Sequence, residues 1–153
     1  MIDYIEYDDS YREKLIKFII SIYVKEFGYA EAEEELLNLD MQIYKFGISK
    51  FLLAIDENNE IIGCVGIDTT NDTETYLKKM YVKREYRGSG IANELMSKII
   101  QYAKEKNIKR IYLSTYKKLI RANGFYKKHK FIQYENDITK ENSDVNCYYL
   151  DLK

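Results

Sequence analysis

A chain of 153 residues with 46% apolar content can bury one substantial core, and no run of 18 or more apolar residues is present to span a membrane. Two cysteines and one histidine favour free thiols over a disulfide and form no His/Cys cluster with metal-ligand spacing, and they leave a Ser-His-Asp mechanism only if His129 serves it. Net charge is −1, yet residues 1–76 hold 6 Lys+Arg against 17 Asp+Glu and residues 77–153 hold 18 against 8.

Ile2 to Tyr7 alternates as a first strand, and Ser10-x-x-Glu13 reads as a capping box opening a helix. Leu15, Phe18, Ile19, Ile22 and Tyr23 recur on one face of that helix, and Gly28 ends it. A second helical segment covers roughly 30–46, with Leu36, Leu37, Ile43 and Tyr44 inward. Phe51–Ile55 and Ile61–Ile67 are strands joined by the turn Asp56–Glu60. Thr69–Glu74 turns into a central strand, 75–83. An amphipathic helix follows with Ile91, Leu95, Met96, Ile99 and Ala103 on one face. Ile108–Ser114 is a strand, and 117–129 a helix with Leu119, Ala122, Phe125, Tyr126 and His129 inward. Phe131–Tyr134 and Val145–Leu152 are strands across a polar loop, 135–144. The order βααβββαβαββ gives a single α/β domain, 1–153, with helices on both faces of a mixed sheet. Cys64 and Cys147 fall in apolar strand runs, as buried free thiols of a reducing compartment do. With no basic-then-apolar leader at Met1-Ile2-Asp3-Tyr4, the expectation is a cytoplasmic protein.

The turn Arg87-Gly88-Ser89-Gly90-Ile91-Ala92 lies between the central strand and the amphipathic helix. Glycines let such a turn tighten and bare its N–H groups, and the first N–H groups of a helix have no partner within it. Together with the helix dipole they make an anion site. A P-loop needs Lys and Ser/Thr after its last glycine, and Ile91-Ala92 stands there instead. A dinucleotide fingerprint needs a third small residue where Asn93 stands, and an acidic residue near 110.

Arg87, Gly90 and Ala92 meet the pattern Arg/Gln-x-x-Gly-x-Gly/Ala. With Leu77–Val82 before it and Ala122-Asn-Gly-Phe-Tyr-Lys-Lys-His-Lys-Phe131 after, the chain resembles the GCN5-related N-acetyltransferase (GNAT) family. The second block departs from the family at Lys130, where Gly is usual, which suggests a different helix exit. The resemblance implies a mostly antiparallel sheet whose central strand and the strand at 108–114 splay apart. It implies an acetyl-CoA site with pantetheine against Met80, Tyr81 and Val82, pyrophosphate on Arg87, Gly88, Ser89, Gly90, Ile91 and Ala92, and Asn123 bonding the polar arm. It implies direct transfer to a primary amine of a small molecule, without a metal, and Tyr126 protonating the departing thiolate. Glu26, Phe27, Tyr29 and Tyr76 fall where the family places its acceptor.

The base is open among Glu74, Glu26 and a water chain. The nucleotide phosphates are within the expected reach of Lys127 and Lys128. Glu26, Glu31, Glu33, Glu34, Glu35 and Asp40 would draw a cationic amine such as a polyamine. Acetylation of a protein N-terminus or lysine and a non-catalytic acyl-CoA sensor are the alternatives. Nucleic acid is not an expected partner, because the basic half lacks a reading motif. A monomer or homodimer is expected.

Overall fold

The computed structural model describes residues 1–27, 41–45, 47–69 and 71–153. Seven strands form one sheet in the order β1-β2-β3-β4-β5-β7-β6. They are β1 Asp3–Glu6, β2 Lys50–Ile55, β3 Ile61–Thr69, β4 Glu74–Val82, β5 Arg110–Tyr116, β6 Ile132–Tyr134 and β7 Val145–Asp151. Every neighbouring pair is antiparallel except β4–β5, which is parallel. The helices are α1 Arg12–Ile22, α2 Ile91–Glu105, α3 Ile120–Lys128 and α4 Asp137–Glu141.

The apolar stripes read from the sequence build two cores, one on each face of the sheet. Leu15, Phe18, Ile19 and Ile22 of α1 cover Leu53, Ile61 and Cys64, joined by Met41 and Tyr44. On the other face Ile91, Leu95, Met96, Ile99 and Ala103 of α2 cover Ile62, Val65 and Ile67. The larger of these α2 side chains each contribute about 1.5–3 kcal/mol by leaving water. No helix among the described residues is long and apolar enough to cross a membrane. Cys64 and Cys147 are buried free thiols.

Several local expectations change. Asp8, not Ser10, accepts the capping bond, from the Ser10 N–H at 2.8 Å, and a 3-10 turn Asp9–Tyr11 precedes α1. The expected exit of α1 at Gly28 and most of the second helical segment lie outside the described residues, while Met41–Lys45 forms a 3-10 turn. The polar loop 135–144 contains α4, because Asn136 and Thr139 cap it reciprocally. Lys130 takes φ 73°, the left-handed value glycine would take. The helix exit is therefore the left-handed one that glycine ordinarily makes, not a different one, and it is closed by Phe131 N–H to Tyr126 O at 3.1 Å.

Candidate active site

Pairing between β4 and β5 stops after Glu74–Arg110, Thr75–Ile111 and Tyr76–Tyr112. Beyond that point the parallel strands part, and a cleft of about 1030 Å³ opens between them. A bulge makes β4 bend there. Cys64 pairs with Tyr81 and Gly66 with Lys78, so β4 carries an extra residue, and Lys79 absorbs it at φ 55°. The Lys83 N–H bonds back to Ile62 O at 2.8 Å. Strand alternation then turns the Val82 N–H the other way, into the cleft.

The cleft runs on to the glycine turn. Gly88 and Gly90 stand at φ 80° and 92°, with open space where a Cβ would point. The N–H groups of Gly88, Gly90, Ile91 and Ala92 have no backbone acceptor among the described residues. These donors stand at the N-terminus of α2, an arrangement suited to an anion. Arg87 is half-engaged elsewhere. Glu26, in a π-helical turn Tyr23–Phe27 that prolongs α1, receives Arg84 at 3.1 and 3.2 Å and Arg87 at 3.2 and 3.3 Å. Burial raises the Glu26 pKa, but the hydrogen bonds from Arg84 and then Arg87 outweigh it, and the carboxyl sits below its ordinary value.

On the opposite wall α3 presents Tyr126, 7% exposed and in the cleft lining. Its ring lies 5.8 Å from Phe131 and 6.2 Å from Tyr148. Burial alone raises its pKa well above the ordinary phenol value. Among the described residues nothing hydrogen-bonds its hydroxyl. A protonated phenol therefore faces the cleft with its proton uncommitted.

A model of the acetyltransferase (GNAT) family matches residues 16–131, three quarters of the chain. The chain belongs to the GNAT family. A GNAT-family acetyltransferase from Staphylococcus aureus MU50 is 35% identical, with a TM-score of 0.87 over 100% of both chains. A protein from Bacillus anthracis str. Ames, solved in complex with acetyl coenzyme A, is 25% identical, with a TM-score of 0.64 over 76% of this chain and 70% of that one. The Xenopus tropicalis protein named probable N-acetyltransferase 14 is 35% identical over 55% of this chain and 41% of its own length, so the match spans less than half of that relative.

Within this GNAT chain the structure brings Met80, Tyr81, Val82, Arg87, Ala92, Tyr126, Glu26 and Tyr76 to one cleft. Ile91 packs its side chain into the core, leaving only its backbone toward the turn. Tyr29 and the side chain of Phe27 lie outside the described residues, as do Glu31, Glu33, Glu34, Glu35 and Asp40. The Asn123 side chain is engaged within the protein. Its Nδ2 donates to Tyr116 O at 2.9 Å and Leu119 O at 2.8 Å. Its Oδ1 accepts from Tyr148 at 2.6 Å and Asn146 at 3.0 Å. All four positions of the amide are taken.

Neither candidate carboxylate is a base poised near neutrality. Glu26 is held as an anion by two arginines. Glu74 accepts from Tyr112 at 2.7 Å and Asn71 at 3.3 Å, which holds its pKa below the ordinary value, and it stands outside the cleft lining. His129 is not a core residue. It is half-buried, against the Phe125 ring at 4.5 Å and bonded to Asn93 of α2 at 2.8 Å. Sequence reasoning missed Tyr116 and Ile120, which line the cleft at 39% and 81% exposure. For Ile120 the signal available was an apolar residue within the expected helix 117–129 that its inward face does not use.

Proposed function

We propose that this protein transfers an acetyl group from acetyl-CoA directly to a primary amine of a small molecule, as one catalytic domain of the cytoplasm. The observation that carries the reading is one continuous cleft with unpaired backbone donors at the glycine turn, an outward-facing edge of β4 along it and the uncommitted Tyr126 hydroxyl on its far wall. The turn fits the pyrophosphate, because four N–H groups without a backbone acceptor meet there at a helix N-terminus. The β4 edge at Met80 and Val82 fits the amides of pantetheine.

In the reaction the neutral amine nitrogen attacks the acetyl carbonyl, a C–N bond forms and the C–S bond breaks. Tyr126 gives its proton to the departing thiolate, the amine loses its proton to solvent, and solvent restores the phenol. A buried phenol suits this work, since its proton stays on through neutral pH. Nothing in this scheme needs a protein nucleophile or a metal.

The test is thiol release from acetyl-CoA with a panel of spermidine, lysine, glutamate and phenethylamine. Turnover with one of them is expected, and Tyr126→Phe should lower it by about 10²–10⁴-fold while CoA affinity holds. Tight CoA binding with no turnover on any amine or peptide would instead make the protein a sensor. Full turnover by Tyr126→Phe, where chemistry limits the rate, would move the acid elsewhere. Gly90→Val, which strains φ 92° and fills the phosphate's approach, should abolish CoA binding in calorimetry.

A further inference from the structure

Two tyrosine rings lie 6.2 Å apart where α3 meets the sheet, and only one of them has a proton to give. Tyr148, fully buried on β7, donates its hydroxyl to Asn123 Oδ1 at 2.6 Å. Asn123 itself is 8% exposed, and each of its bonds ties α3 to a different part of the molecule. Through Tyr116 O it holds the last residue of β5, the strand that has parted from β4. Through Leu119 O it closes the first turn of α3, whose N-cap position offers no side-chain bond of its own. Through Asn146, which in turn accepts from Gln133 at 3.1 Å, it reaches β7 and β6. Tyr126 is three residues further along the same helix, on the same face.

We propose that Asn123 is a positioning residue for the acetyl transfer: by fixing α3 against β5 and β7 and by engaging the Tyr148 hydroxyl, it sets Tyr126 in the cleft with its own hydroxyl uncommitted. The proposal rests on Tyr126 acting as the acid. It makes Asn123 act through another side chain and not on the donor itself, since no donor or acceptor of its amide is left over. Loss of a hydrogen-bonded side chain that lets a reacting group shift by about 1 Å can cost about 10²-fold in rate.

The test is a double-mutant cycle read by thiol release from acetyl-CoA, using the best amine of the panel above at saturation, with CoA affinity measured by calorimetry. Tyr148→Phe removes one donor and keeps the ring, so it probes the network even if Asn123→Ala fails to fold. Each should lower kcat by about 10–10²-fold while the CoA dissociation constant changes less than about twofold. In the Tyr126→Phe background, where the acid is already gone, Tyr148→Phe should lower kcat no further. A loss of CoA affinity in Asn123→Ala with kcat retained would return Asn123 to the cofactor. An undiminished effect of Tyr148→Phe in the Tyr126→Phe background would overturn the positioning role, whereas a Tyr126→Phe that alone keeps full turnover would overturn the acid assignment beneath it.

Discussion

At Lys130 the backbone sits at φ 73°, where a Cβ is crowded and glycine is at ease. The conformation is imposed by the bonds that close α3, Lys130 N–H to Lys127 O and Phe131 N–H to Tyr126 O. A side chain held in the left-handed region costs about 1–2 kcal/mol, and glycine gives part of that back as backbone entropy. Lys130→Gly should therefore raise stability by about 0.5–1 kcal/mol, read as a higher urea midpoint at unchanged slope. A lower midpoint would mean that the lysine contributes contacts outweighing the strain. The same position shows why residue-level inference stalls. The sequence reveals that the usual glycine is missing, but only the two closing bonds show that the backbone went the same way regardless. Asn123 is the opposite case. Its side-chain partners Asn146 and Tyr148 are 23 and 25 positions away, so no local pattern could choose between ligand and brace.

The element that most directly sets the site is α2, and its approach to the sheet is governed by Gly63. A Cβ there would meet Leu95 Cδ1 at 3.1 Å, Ile91 Cγ2 at 3.3 Å and Tyr81 O at 3.3 Å. Ile91 opens the helix whose first N–H groups are proposed to hold the phosphate, so pushing it outward moves the donors. Gly63→Ala is expected to destabilise by about 1–3 kcal/mol through overpacking and to weaken CoA binding several-fold, measured by thermal melting and calorimetry. Gly124→Ala, where an added Cβ meets nothing, serves as the stability control. Unchanged CoA affinity in folded Gly63→Ala would show that the turn does not depend on the packing of α2. Element existence and order were largely legible, because β2 and β3 are short apolar runs bounded by a turn and α2 carries a clear period of 3.6. The β4 bulge was not, since it needs only one extra residue, Lys79, and leaves no compositional mark. The five-residue α4 was too short to show a period and is specified by its cap instead.

At the scale of the whole molecule, the acidic and basic halves meet chiefly around the cleft. Among the described ion pairs, those joining residues 1–76 to 77–153 are Glu26 with Arg84 and Arg87, and Asp68 with Lys78. Glu26, Arg87 and Lys78 all line it. The sequence displayed this asymmetry of charge but not where the halves touch, which depends on α1 ending beside the glycine turn. Glu26 has a depressed folded pKa, so its stabilisation is present above its unfolded value of about 4.3 and is lost as pH falls through that region. Glu26→Gln should cost about 1.5–3 kcal/mol at neutral pH and flatten the decline of Tm below about pH 4.5. An acid limb identical to that of the unaltered protein would show that Glu26 is not the group titrating there.

The parting of β4 from β5 also has a consequence in time. A sheet protects its amides by pairing them, and after Tyr76 the β5 side of β4 has no such pairing. The Val82 amide is thus secured by the strand's burial but not by a ladder bond, and in deuterated buffer it should exchange faster than its neighbour Lys83, which bonds Ile62. A pantetheine lying along that edge would act as the missing strand. Adding CoA should slow Val82 without altering Lys83, and equal rates at the two amides with and without CoA would place the ligand off this edge. The ligand would then be a temporary eighth strand, closing in solution the gap that the seven covalent ones leave open.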